Sequence, residues 1–187
     1  MSMEKSRYIK LSKFLCAVLR HDPSAAGISL NEHGWANVDE LIAGVSKKRS
    51  IDREKLEEIV RTDDKGRYSF SPDGTMIRAN HGHTVTVDLE LAAEQPPEYL
   101  LHGTGDRFVE SIDQRGLLHG QRMYVHLTEN RDVALSVGAR HGKPVLYRVM
   151  SGAMARDGSV FYHSASNVWL CDHVPIGYLE KLTEEEA

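Results

Sequence analysis

The sequence predicts an α+β chain folded as two lobes, and three observations carry that expectation. Within the first 80 residues, three segments of helical periodicity precede one hairpin pattern. From about residue 99, short apolar strands alternate with short helices. Between them, residues 87–98 (VDLELAAEQPPE) are rich in acids and contain Pro96-Pro97, the composition of a connection. A length of 187 residues accommodates two small lobes of this kind.

In residues 6–20 (SRYIKLSKFLCAVLR), Leu11, Phe14, Leu15 and Val18 recur at i, i+3, i+4 and i+7, which puts them on one stripe of a helix. Lys10, Lys13 and Arg20 fall on another face. Such a stripe is either a solvated surface or a contact for a polyanion. His21-Asp22-Pro23 ends the helix, because proline disfavours helical geometry in the residue before it. Asn37-x-x-Glu40 is a capping box opening a second helix through Val45. Asp52 can cap a third, running to about Arg61, with Ile51 and Leu56 placed as a hydrophobic staple. RYSFS, the turn Pro72-Asp73-Gly74 and TMIRA then read as a hairpin. Three helices followed by a hairpin is the element order of a winged helix, and residues 1–86 are assigned to it.

In residues 99–187, Tyr99-Leu-Leu is a short strand expected to end at His102-Gly103-Thr104. A helix follows over about 106–115, stopped by Gly116. Residues 124–128 read as a strand, 131–139 as a helix and 144–149 as a strand. The stretches 161–170 and 174–182 supply further strand-like segments.

Composition removes several classes of function. The chain is 41% apolar and 27% charged, enough for a core and too balanced for a disordered or low-complexity protein. It has no run of roughly 18 apolar residues, and its start lacks the apolar segment of a secretory signal, so no membrane span is expected. Cys16 and Cys171 stand alone, which argues against disulfides and thiolate zinc and points to a reducing, cytoplasmic setting. The net charge of −4 conceals an asymmetry. Residues 1–80 carry 14 Lys+Arg against 12 Asp+Glu, a net of +2, and residues 81–187 carry 9 against 15, a net of −6. A polyanion is expected on the N-terminal part.

No Walker A, GxGxxG, HExxH or GxSxG pattern is present. His81-Gly-His83 could hold a metal, but no third ligand of recognisable spacing accompanies it, and no metal is expected. What remains is a set of arginines and histidines at element ends: Arg20-His21, Arg78 shortly before His83, and Arg140-His141. Arginine suits a phosphate because it is always charged and gives two parallel N–H bonds. A neighbouring histidine adds a proton donor or acceptor near neutral pH. Cations at helix C-termini are also favoured by the helix dipole, a purely structural explanation for each pair.

In this order, the runs SKFLCAVLRHDP, GWANVDELI, RYSFSPDGTMIRANHGHT, YLLHGT, YVHLT, VGARHGKPVLY and NVWL resemble the RNA 2′-phosphotransferase family over about residues 6–182. The resemblance implies an N-terminal winged-helix lobe for RNA and a C-terminal, ADP-ribosyltransferase-like lobe for NAD⁺. It places a catalytic tetrad on Arg20, His21, Arg78 and Arg140. It places NAD⁺ contacts on His102, Gly103, Thr104, His126, Leu127 and Thr128; RNA contacts are expected at Lys10 and Lys13 of the basic stripe and at His83. His81 and Thr84 depart from the Gln and Ser common in the family. The late glutamate of many ADP-ribosyltransferases is absent, as in the family, and Val168 and Trp169 of NVWL are expected in the core. The implied reaction transfers an internal RNA 2′-phosphate to NAD⁺, which is consumed, through an ADP-ribosylated phosphate. The products are RNA with a free 2′-hydroxyl, nicotinamide and ADP-ribose 1″,2″-cyclic phosphate. Two alternatives stand beside it: an ADP-ribosyltransferase that caps nucleic-acid phosphate ends, and a non-catalytic winged-helix regulator. The expected partners are a tRNA-like RNA bearing a 2′-phosphate and NAD⁺, with the protein a monomer.

Overall fold

The structure is a computed structural model that describes residues 3–183, with side chains from Tyr8 onward. It is an α+β chain with small sheets, and it divides into two compact units, the first ending at Glu90 and the second beginning at Leu91. The division falls within 87–98. Val87 and Leu89 are buried and lie beside Gly34, so they belong to the first unit.

The first unit opens with α1 (Met3–Arg20), which starts three residues ahead of expectation. Leu11, Leu15 and Val18 are buried as their spacing requires, and Leu19 joins them. Phe14 is only half-buried and instead lies under the Arg49 guanidinium, 5.4 Å from its ring centre. A 3-10 turn at Pro23–Ala26 follows. Helices α2 (Val38–Ser46) and α3 (Arg53–Arg61) start where their caps predict. The Asn37 side chain accepts the N–H groups of Asp39 and Glu40, and the Asp52 side chain accepts that of Lys55. The hairpin forms as read. A strand the sequence did not announce, β1 (Trp35–Asn37), precedes α2; β2 (Tyr68–Phe70) and β3 (Met76–Ala79) complete an antiparallel sheet of order β1-β3-β2. Three residues are too few to show a period of two. The Tyr68 hydroxyl donates to the Ser12 carbonyl at 2.6 Å, which ties the hairpin to α1.

In the second unit, β4 (Leu100–Gly105) pairs with β7 (Pro144–Val149), which pairs with β11 (Leu179–Lys181). A second sheet joins β6 (Val125–Leu127), β9 (Trp169–Cys171) and β8 (Tyr162–His163). A short ladder pairs β5 (Leu117–Leu118) with β10 (His173–Val174). The helices are α4 (Val109–Arg115), α5 (Arg131–Gly138) and α6 (Ser151–Arg156).

Four expectations are corrected by the structure. The strand at 99–101 does not stop at His102 but runs through Gly105. The helix expected from 106 begins as a 3-10 turn at Asp106–Phe108. The stretch 161–170 breaks into β8 and β9 around a turn in which Asn167 has φ +55. The stretch 174–182 likewise breaks, at a 3-10 turn over Ile176–Tyr178. Helix α6 has no counterpart among the expected elements, being only six residues long.

The extension of β4 has a clear cause. A Cβ on Gly103 would overlap the Ala134 carbonyl of α5, and one on Gly138 would lie 2.6 Å from the Thr104 carbonyl. Glycines here let helix and strand backbones touch, whereas from sequence Gly103 reads as part of the strand's end.

Candidate functional site

In the first unit, α1 delivers Arg20 and His21 to one point because Pro23 forbids its continuation. The helix end is then closed from another segment. The Arg20 carbonyl accepts the N–H of Thr84 at 2.9 Å and, at 3.4 Å, that of Val85. Thr84 Oγ1 also lies 3.1 Å from His21 Nδ1. Gly82, with φ +84, makes this approach possible, since a Cβ there would sit 3.4 Å from the Arg20 guanidinium in a backbone region that side chains avoid.

Strand β3 brings the third cation. Arg78 sits opposite Trp35 and Ser69 in the ladder, and its guanidinium lies 4.5 Å from the centre of the Trp35 ring. Its Nη1 is 3.5 Å from the His33 carbonyl and 3.7 Å from the Glu90 carboxylate. His83 completes the group. It is 1% exposed, with Gly34 behind its ring. Burial, and then the positive charges of Arg20, His21 and Arg78, push its pKa down to about 4, so it is neutral at physiological pH. A histidine ringed by cations is a poor metal ligand. Among the described residues no three His, Cys, Asp or Glu side chains gather as a metal-holding set.

Nε and Nη2 of Arg20, Nε of Arg78 and both ring nitrogens of His83 are buried and make no hydrogen bond. Among the described residues, every buried side-chain polar atom in that condition belongs to this cluster. Each such group costs about 1–3 kcal/mol, more when charged. An oxyanion would satisfy the guanidinium donors and whichever His83 nitrogen carries the proton. Lys10 and Lys13 are exposed along α1. Lys47, Lys48 and Arg49 are exposed just after α2, and Arg49 reaches Phe14 of α1.

In the second unit, Arg140 is exposed two residues beyond α5, its N–H on the Val137 carbonyl at 3.2 Å. His141 beside it lies edge-on to Phe108. β4 and β6 join at a bridge between Leu101 and Thr128, which sets His102 next to His126. His102 Nδ1 donates to the His126 carbonyl at 3.0 Å. Burial first, and the nearby Arg122 charge, hold His102 below the usual histidine range. Thr104 is buried, and Gly103 lies against α5. Leu127 is a core residue, 2% exposed, so only its backbone is available to a ligand. Thr128 is half-buried, its N–H and carbonyl both engaged by Leu101.

Trp169 is in the core as expected, stacked on His163 with its indole N–H on Glu129 at 2.9 Å. Val168 is half-buried and stands outside the buried core. One polar residue escapes any reading of the sequence: Arg122, whose Nη1 lies 2.7 Å from His126 Nδ1. A lone arginine four residues before a strand histidine carries no pattern of its own.

Comparison with known proteins agrees with the motif resemblance. The family model described as RNA 2′-phosphotransferase, Tpt1 / KptA family, matches residues 6–173. A protein of Nostoc punctiforme named "Probable RNA 2′-phosphotransferase" is 48% identical over 181 residues, covering 96% of this chain and all of its own. Proteins of the same name from Flavobacterium johnsoniae and Pseudomonas fluorescens are 48% and 43% identical, over 91% and 96% of this chain and 94% and 100% of theirs.

Proposed function

The chain belongs to the RNA 2′-phosphotransferase, Tpt1 / KptA family, and from that premise we propose that it removes an internal RNA 2′-phosphate by transferring it to NAD⁺. The observation that carries this reading is the cluster of unsatisfied buried donors on Arg20 and Arg78 around His83. It is a site for an oxyanion, and the family name supplies the oxyanion. The first unit then acts as a winged-helix RNA lobe and the second as an ADP-ribosyltransferase-like NAD⁺ lobe. Arg140 enters the proposal through its motif VGARHG.

The first step needs a phosphate oxygen to bond the nicotinamide-bearing ribose carbon as the bond to nicotinamide breaks. The nucleophile is already an anion, so the protein's task is to hold it at about 3–3.5 Å from that carbon. Arg20 and Arg78 do this by gripping the non-attacking oxygens. The second step forms a bond from the ribose 2″-hydroxyl to phosphorus and breaks the bond to the RNA 2′-oxygen. One proton must leave the hydroxyl and one must reach the departing oxygen, and His21, beside the cations at the end of α1, is assigned that traffic. The guanidinium groups meet the extra negative charge at phosphorus. On the other unit, His102 is kept neutral by burial, and it and His126 present polar ring atoms suited to a ribose hydroxyl or an amide.

The test is incubation of the protein with NAD⁺ and an oligonucleotide carrying one internal 2′-phosphate, following both RNA and nucleotide. The expected products are unmodified RNA, nicotinamide and ADP-ribose 1″,2″-cyclic phosphate, with one NAD⁺ consumed per phosphate removed. Loss of phosphate as inorganic phosphate without NAD⁺ would make the protein a hydrolase. RNA that stops at the ADP-ribosylated phosphate would make it a capping transferase. Binding without nicotinamide release would make it a regulator.

A further inference from the structure

We infer that Arg122 is a positioning residue, fixing the ring of His126 with its proton on Nε2 so that His126 faces its ligand as a hydrogen-bond donor. The inference rests on the proposed NAD⁺ reading only for the identity of that ligand.

The turn that carries Arg122 is closed by its own backbone. The Arg122 N–H donates to the His119 carbonyl at 3.2 Å, and the His119 ring donates back from Nδ1 to the Arg122 carbonyl. Gly120, at φ +63, supplies the left-handed residue this turn requires. The backbone of Arg122 is thus held from both sides of the turn. His126 is held as well, lying opposite Leu170 in the β6–β9 ladder with its carbonyl taken by His102. Two anchored residues, four apart, meet with Arg122 Nη1 2.7 Å from His126 Nδ1.

The chemistry of that contact has one solution. A guanidinium group has five N–H donors and no acceptor. Nδ1 of His126 must therefore offer its lone pair, which puts the ring proton on Nε2. The neighbouring histidine is fixed in the opposite sense. A carbonyl can only accept, so His102 Nδ1 carries the proton and its Nε2 is the acceptor. Burial and the Arg122 charge keep that ring neutral. Adjacent strands thus carry one ring nitrogen that accepts and one N–H that donates, and Arg122 determines the second. Without it, the two neutral forms of His126 compete, and a ligand acceptor faces a lone pair for part of the time.

Two-bond ¹H–¹⁵N spectra of the full-length protein labelled at histidine report which ring nitrogen carries the proton. In the unsubstituted protein His126 is expected as the Nε2–H form and His102 as the Nδ1–H form. In Arg122→Ala, His126 should become a mixture of forms while His102 keeps its Nδ1–H form, held by the His126 carbonyl, which also confirms that the variant is folded. Arg122→Lys should restore the Nε2–H form, because an ammonium group also only donates. Calorimetric titration with NAD⁺ should show dissociation about tenfold weaker in Arg122→Ala, the loss of one hydrogen bond, and recovery in Arg122→Lys. A pure Nε2–H form of His126 in Arg122→Ala, or an Nδ1–H form in the unsubstituted protein, would overturn the inference. If the unsubstituted protein fails to bind NAD⁺, the proposed function falls, while the spectra still decide the role of Arg122.

Discussion

His83 is a polar residue buried where burial costs most, among three positive charges. Below about pH 6.5 an unfolded chain takes a proton on this ring, but the native site refuses it until about pH 4. Stability from this residue is therefore complete above pH 6.5, declines as pH falls through the interval down to 4, and levels off below it. The loss over that window is roughly 3 kcal/mol. An anion seated among Arg20, His21 and Arg78 reverses the charge that His83 senses. NMR titration of the ring should thus give a value near 4 in the free protein and a clearly higher one in saturating phosphate; an unchanged value would place the anion elsewhere. His21, exposed at the end of α1, has a different task. If it moves protons only in the second step, His21→Ala should slow that step by about 10²–10⁴ and leave nicotinamide release nearly intact. ADP-ribosylated RNA should accumulate in a single-turnover time course. Equal slowing of both steps, with nothing trapped, would make His21 a residue that orients the first attack.

At the scale of elements, α1 has two faces and an end, with three tasks. One is buried, one is exposed and basic through Lys10 and Lys13, and its end carries Arg20 into the cluster. If the basic face follows the RNA backbone, Lys10→Ala with Lys13→Ala should weaken oligonucleotide binding and flatten its salt dependence. The log–log slope should fall by about 0.7 for each single-strand phosphate that is no longer neutralised, and NAD⁺ binding should not change. An unaltered slope would make the lysines solvated surface. Helix α3 is a poorer candidate for that role, because Arg53, Lys55 and Arg61 pair with Glu57, Asp52 and Glu58. The elements legible in the sequence are those with a cap, a staple, a turn signal, a complete stripe or a complete apolar run: α1, α2, α3, the β2–β3 hairpin, β6, α5 and β7. Those that are not legible depend on partners distant in the chain. β1 is defined by its ladder to β3. β4 reads as ending at His102-Gly103-Thr104 until α5 and His141 are seen against Gly103 and Gly105. The phosphate-suited arginines and histidines are legible from residue type and position at element ends. Arg122 is not, because its role depends on a turn that closes in space.

For the molecule as a whole, the boundary changes the meaning of the charge. Counted to residue 80, the N-terminal part has a net charge of +2. Counted to Glu90, where the first unit ends, Asp88 and Glu90 cancel that excess, leaving 14 basic and 14 acidic side chains. Attraction to RNA therefore cannot come from a bulk field; it must come from where the cations stand. The protein should bind an unmodified oligonucleotide weakly and its 2′-phosphorylated counterpart on the order of 10²-fold more tightly, the value of one or two charged hydrogen bonds. Fluorescence anisotropy of the two labelled strands measures the ratio, and equal affinities would mean that the cluster does not read the phosphate. The closure of α1 by Thr84 has a consequence for hydrogen exchange. Thr84 is an exposed residue on a loop, a place where amides ordinarily trade their protons quickly. Its N–H, however, is lodged on the last carbonyl of a helix packed into the core, so it can be released only when that helix end opens. The Thr84 amide should then exchange as slowly as those of the final turn of α1, and more slowly still when phosphate binds. One backbone proton on the surface would report whether the buried cluster is assembled.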